Sequence, residues 1–220
     1  MTMQPIVPAY FHPVVALSEW AKVQAAASFV GGIVINVADG PGQMIDDAYV
    51  GLAAQLHPAM PVYGYVDLAY GTRATSQILG DVESWRAWYG VDAFFFDQSP
   101  SELTASFTEV LRQLRKEPAI PIAVNPGVEP DLDLLLAVDV CVTFEGPDDV
   151  YSRQQLSTAP PAQVGVSRLH LVYGVSPERQ ELTRLRAQAH GATCYATDGD
   201  GANPWDHLSP AITSQLRVSA

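Results

Sequence analysis

A chain of 220 residues with a formal net charge of −12 and 48% apolar residues suits one domain with one sizeable core and is too apolar to be disordered. The charge argues against a nucleic-acid partner, which would need a basic stripe; the nearest candidate, Arg112, Arg115 and Lys116, reads as the solvated face of a helix. No apolar run reaches the length of a membrane span, so no membrane partner is expected either.

Eight short apolar runs follow one another, and each leads into a stretch that can form a helix. The first, IVPAYF at 6–11, carries Tyr10 and runs into His12-Pro13, with a helix expected over 14–29 on Val15, Ala16, Trp20, Val23 and Ala27. GGIVINV at 31–37 carries Asn36 and precedes the turn ADGPG and a helix over 44–56. PVYGYVD at 61–67 carries Tyr65 and Asp67, with Tyr70 just beyond, before a helix over 75–89 striped with Ile78, Val82, Trp85 and Trp88. DAFFFDQ at 92–98 ends on Asp97 and Gln98, and Ser101 stands as an N-cap for a helix over 101–117. PIAVNPG at 121–127 carries Asn125, before a short helix over 130–138. VCVTFEG at 140–146 carries Glu145 and opens a long connection, 146–163, in which a short polar helix over 148–156 and Pro147, Pro160 and Pro161 fall; it is the segment expected to be mobile. RLHLVYG at 168–174 carries Tyr173, then Ser176-Pro177 opens a helix running to His190 and closing on Gly191. TCYATD at 193–198 ends on Asp198, and Asn203-Pro204 opens the last expected helix.

Eight strand–helix units in one lean domain spanning 1–220 predict an α/β fold, a (β/α)8 TIM barrel, whose working face is the C-terminal end of its strands. The alternative, an open doubly wound sheet, normally shows a glycine-rich phosphate turn after its first strand. Here that strand runs into Phe11-His12-Pro13, and no GxGxxG follows the second, so no nucleotide cofactor is expected.

The barrel geometry gathers the polar residues of the strand ends: Tyr10, His12, Asn36, Tyr65, Asp67, Tyr70, Asp97, Gln98, Asn125, Glu145, Tyr173 and Asp198. Side chains alternate along a strand, so Phe95 and Asp97 share a face, as do Thr143 and Glu145. Asp97 ends an apolar run, where a carboxylate is either held by partners or placed for chemistry. Strands four and six contribute to the same interior layer, so Asp97 and Glu145 can face each other across the mouth. Two carboxylates flanking a substrate are what glycoside hydrolysis requires, one donating a proton and the other attacking or activating water. The alternative for each is a loop cap or an arginine partner. The tyrosines serve equally as sugar-stacking faces or as amphipathic rim residues, and His12 as a helix cap or a ligand contact. His57, His190 and His207 read as surface residues and His170 as a core histidine. Cys141 and Cys194 read as buried free thiols on strands that are not neighbours. No metal-ligand spacing and no GxSxG elbow is present, so neither a metal nor acyl-enzyme chemistry is expected.

The segments VPAYFHP, INVADGPG, VYGYVDLAYGTR, VDAFFFDQ and TDGDGANPW, in this order, resemble the spherulation-specific family 4 (spherulin-4-like) proteins over nearly the whole chain. That resemblance implies a TIM-barrel glycoside hydrolase acting on galactosamine- or N-acetylgalactosamine-containing polysaccharides, with Asp97 and Glu145 as the catalytic carboxylates. One departure stands out: the family pattern reads Asp-Glu at the end of strand four, and this chain reads Asp97-Gln98. Two other readings stay open at this point. One is an isomerase, lyase or cyclase moving a proton on a small molecule; the other is a carbohydrate-binding barrel without catalysis. Residues 1–7 lack a signal-peptide pattern, so the chain reads as cytoplasmic as written and as secreted if a leader has been removed. The sequence is silent on oligomeric state.

Overall fold

Phe94, Phe95 and Phe96 are each no more than 1% exposed, which makes the fourth strand buried on both faces, as in an all-parallel sheet. In the computed structural model, which describes residues 4–117, 120–156 and 165–218, the strands are β1 (Ile6–Pro8), β2 (Gly32–Ile35), β3 (Val62–Asp67), β4 (Ala93–Asp97), β5 (Ile122–Val124), β6 (Val140–Pro147), β7 (Ser167–Tyr173) and β8 (Ala192–Ala196). Each pairs in parallel with the next in chain order. The result is the expected (β/α)8 TIM barrel, nearly closed. Its helices are α1 (Leu17–Ala25), α2 (Asp47–Leu56), α3 (Thr75–Tyr89), α4 (Ala105–Leu114), α5 (Leu132–Ala137), α6 (Asp148–Arg153), α7 (Pro177–Ala189) and α8 (Pro210–Val218).

Packing decides which face of each strand looks inward. Phe96 meets Phe107 of α4 at a centroid distance of 5.1 Å, and Arg86 of α3 lies over Phe94. Phe94 and Phe96 therefore point out to the helices, and Phe95 and Asp97 point into the barrel. On β3, Gly64 leaves room for the indole of Trp85: a Cβ there would stand 2.6 Å from the ring. Trp85 closes the contact by donating its indole N–H to the Tyr65 carbonyl at 2.7 Å, which ties α3 to the strand carrying Tyr65. On β6 the pairing with β7 slips between Val142 and Phe144. This bulge interrupts the simple alternation expected to put Thr143 and Glu145 on one face. Bulges of this kind re-aim side chains near functional sites. Beyond it Phe144 packs outward on Tyr151 of α6 at 4.7 Å.

Several helix starts differ from expectation, each for a local reason. The first helix begins at Leu17 rather than at 14, because the His12 carbonyl accepts from Val15 and Ala16 and its Nδ1 accepts from Val14, making a turn instead. Val15, placed on the buried stripe by its spacing, is 85% exposed. Asp46 caps α2 by accepting from Ala48. Thr104, not Ser101, caps α4 by accepting from Phe107. The last helix starts at Pro210 rather than at Asn203-Pro204: the Asn203 amide donates to the Tyr10 carbonyl at 2.8 Å, and its Oδ1 accepts from Trp205, so 197–209 is a loop folded over the mouth. The expected long connection after strand six begins as the end of β6 and then α6; Pro160 and Pro161 lie outside the described residues. Cys141 and Cys194 are buried free thiols, and His170 is a core residue bonded to the Tyr151 hydroxyl. No helix among the described residues is long and apolar enough to cross a membrane.

Candidate active site

β4 and β6 each deliver one carboxylate to the mouth, and β5, between them, delivers an amide that touches both. Asn125 Nδ2 donates to Asp97 Oδ1 at 2.7 Å and also to Glu145 Oε2. Asn125 is itself 5% exposed. Two oxygens held this close by the two hydrogens of one amide nitrogen sit roughly 4.5 Å apart.

Neither carboxylate has a cationic partner among the described residues. Asp97 accepts a hydrogen bond from Asn125, and the Gln98 backbone and Tyr65 nearby also favour its ionised form, but burial outweighs them and raises its pKa, with Asp67 adding a smaller push. Glu145 receives a hydrogen bond from Asn125, and the nearby Trp205 indole also favours its ionised form; burial first, and the Asp97 charge second, nevertheless push its pKa up to about 7. Two interacting carboxyls titrate as a pair, and of the two the larger upward push falls on Glu145.

The carboxylates form the floor of a two-lobed cleft. One lobe, of about 480 Å³, is walled by Tyr10, Asn36, Asp39, Tyr65, Tyr173 and the 201–205 loop; the other, of about 430 Å³, by Tyr70, Gln98, Asn125, Pro126, Gly127 and Tyr173. Asp97, Glu145 and Tyr173 line both. The aromatic walls are stacked edge to face: Tyr10 on Tyr65 at 5.8 Å and Tyr173 on Trp205 at 6.0 Å. The rim carries backbone strain. Ala69, Tyr70 and Gln98 all have positive φ, at 43°, 53° and 49°, and the Tyr70 N–H donates to the Gln98 carbonyl at 2.7 Å. Non-glycine residues in this region cost about 1–3 kcal/mol each and cluster at functional sites.

Nine of the twelve strand-end residues therefore meet at the cleft: Tyr10, Asn36, Tyr65, Tyr70, Asp97, Gln98, Asn125, Glu145 and Tyr173. The other three line neither lobe. His12 faces Asp46 at 3.2 Å and stacks on Tyr49. Asp67 accepts from Ala69 at 2.6 Å, using its carboxylate to hold the strained turn. Asp198 pairs with His207 at 2.9 Å. Trp205, Asn203 and Asp39, which the strand-end rule misses because they lie on loops, do reach the cleft. The closing segment TDGDGANPW was the available signal for the first two. No group of three His, Cys, Asp or Glu side chains among the described residues is disposed as metal ligands would be.

Comparison with known proteins is consistent with this geometry. Spherulin-4 of Physarum polycephalum is 30% identical over 149 residues, 64% of this chain and 44% of that protein, so the chain spans less than half of that relative. Among solved structures, Sph3 of Aspergillus clavatus, crystallised in complex with GalNAc, superposes with a TM-score of 0.76 at 21% identity, covering 99% of this chain and 97% of that one. The catalytic domain of a hyperthermophilic chitinase from Pyrococcus furiosus shares the barrel at a TM-score of 0.57 and 10% identity, over 100% of this chain and 95% of that one. At these identities the structures establish the fold. The model of spherulation-specific family 4 matches residues 4–218, and the chain belongs to that family.

Proposed function

We propose that this protein is a glycoside hydrolase that cleaves chains containing galactosamine or N-acetylgalactosamine, with retention of configuration. The observation that carries the reading is the pair Asp97 and Glu145, held on one amide at the floor of an open, aromatic-walled cleft. Carboxyls held this close, at or below about 5 Å, belong to retaining enzymes, whereas inverting ones hold theirs about 6.5–9.5 Å apart to admit a water. Glu145, still protonated near neutral pH, donates its proton to the glycosidic oxygen as the bond to the anomeric carbon breaks. Asp97 attacks that carbon and forms a glycosyl ester. Glu145, now ionised, takes a proton from the incoming water, which displaces Asp97 and restores both groups. The choice of sugar draws on the family and on the GalNAc held by Aspergillus clavatus Sph3.

A hydrolysis assay on galactosamine and N-acetylgalactosamine oligosaccharides tests this, with wild type run beside Asp97→Asn and Glu145→Gln. Loss of turnover in both folded variants, with the α or β form of the new end preserved by NMR, is the expected result; full activity in either variant sinks the reading. One observation favours a second reading, a sugar-binding barrel without turnover: Gln98 sets an amide beside Asp97 where the family pattern has a carboxylate. Sugar binding by a wild type that never cleaves would establish it.

A further inference from the structure

We infer that Asn125, placed at the strand end as if to bind substrate, is a positioning residue: it fixes the separation and orientation of Asp97 and Glu145 and has no donor left for a sugar. The inference rests on the glycosidase reading for its kinetic arm alone.

An asparagine amide has two N–H donors and one carbonyl oxygen. Both donors are used, one on each carboxylate. The oxygen accepts the Gly127 N–H at 2.9 Å. That last bond settles which way the amide faces: flipped, it would set an N–H against an N–H and an oxygen between two carboxylates. The residue is also held from behind. Its backbone N–H donates to the Phe96 carbonyl at 2.8 Å, and its carbonyl accepts from Ser99 at 3.1 Å, tying it to the end of β4. Gly127, at φ +68°, turns its own carbonyl to accept the Glu145 N–H at 3.0 Å. The turn 125–127 thus grips the backbone of one carboxylate, the strand of the other, and the side chains of both. A neutral double donor at this point also eases the repulsion that arises when both carboxyls are ionised, without forming the salt bridge that a lysine or arginine would.

Asn125→Ala removes the donors. Asn125→Asp keeps the shape and the bond to Gly127 but turns the donors into an acceptor. Folding is checked by thermal melts, and the carboxyl carbon of Glu145 is followed by 13C NMR titration with no substrate present. The titration of Glu145 is expected to move up by about one pH unit in Asn125→Ala and further in Asn125→Asp. In the hydrolysis assay kcat is expected to fall about a hundredfold with KM within about twofold, and the basic limb of the pH profile to follow the NMR shift. An unmoved Glu145 titration in well-folded variants overturns the inference, and so does a raised KM with kcat intact, which is the mark of a substrate contact. If wild type turns over no sugar, the glycosidase reading falls alone, and the titration still decides whether Asn125 holds the pair.

Discussion

The paired carboxylates at the foot of this barrel and the two on the cleft floor are treated in opposite ways. At the N-terminal foot, Arg86 meets both Asp92 at 3.0 Å and Glu117 at 3.1 Å, and Arg115 meets Asp139 at 3.0 Å. At the C-terminal mouth, Asp97 and Glu145 are more deeply buried yet have only neutral polar groups around them: the Asn125 amide that donates to both, and Tyr65 and Trp205 nearby. Size does not distinguish the ends: a cavity of about 370 Å³ at the foot compares with lobes of about 480 and 430 Å³ at the mouth. Charge compensation does. A buried carboxyl with only neutral groups around it is left able to change protonation near working pH. Under the proposed reading the foot serves stability and the mouth proton transfer, the division expected of this fold.

The largest expected effect is at the mouth. Asp97→Asn and Glu145→Gln should each lower kcat by at least about a thousandfold in the oligosaccharide assay. The pH dependence follows from the same group. With Glu145 raised to about 7 from an ordinary carboxyl value of 4.5, kcat/KM should fall on the alkaline side with a midpoint near 7. Its ionisation also bears on folding. The native state binds the proton more tightly than the unfolded chain, so this group's contribution to stability is present below about pH 4.5 and is lost as pH rises through 7. Glu145→Gln, which has no charge to bury, should therefore melt higher than wild type at pH 8, and the gap should close towards pH 4.5. A variant that melted lower at pH 8 would mean that Glu145 is compensated after all, and the contrast between the two ends would go.

A smaller effect is expected at Trp205. Its indole lies beside Glu145 and favours the ionised carboxylate, and its ring packs on Tyr173. Trp205→Phe keeps an aromatic face and loses the N–H. We expect kcat/KM to fall about tenfold and the alkaline limb to shift upward, since a donor to the ionised form is lost. An unchanged limb would confine the neutral donor set to Asn125 and Tyr65.

Trp205 also marks where the sequence stops being legible. The eight strands, and with them Asp97 and Glu145, follow from apolar runs of strand length and from the rule that a barrel works at its strand C-termini. Period-2 alternation correctly turned Asp97 inward. It was insufficient on β6, where the bulge after Val142 resets the pattern in a way that only the pairing with β7 reveals. Loop residues are harder still. Asn203-Pro204 carries the local signature of a helix start, yet the Asn203 side chain is claimed by the Tyr10 carbonyl, 193 residues away. The same long-range bond brings Trp205 to the cleft. Asp67 and Asp198 fail in the reverse direction: both stand at strand ends, and both are drawn to loop partners, Ala69 and His207. A strand sets where a residue begins; the hydrogen bonds of the following loop set where its side chain finishes.

The smallest effect should come from the foot. The Asp139 carboxylate accepts the Ile122 N–H at 2.8 Å and the Arg115 guanidinium at 3.0 Å, and it is about half exposed. Asp139→Asn keeps an acceptor for Ile122 and loses only the ion pair. At that exposure such a pair contributes about 0.2–1 kcal/mol, so the melting temperature should drop by a few degrees at most and kcat should stay at the wild-type value. The pair should also weaken with added salt, because both partners reach solvent, whereas the protonation of Glu145 should respond little. If Asp139→Asn instead lowered kcat while the melt stayed put, charge at the foot would be coupled to proton transfer at the mouth. The two ends would then be one electrostatic unit, and the pairing of Asp92, Glu117 and Asp139 with arginine would have to be read as tuning the field across the barrel rather than as holding its base together.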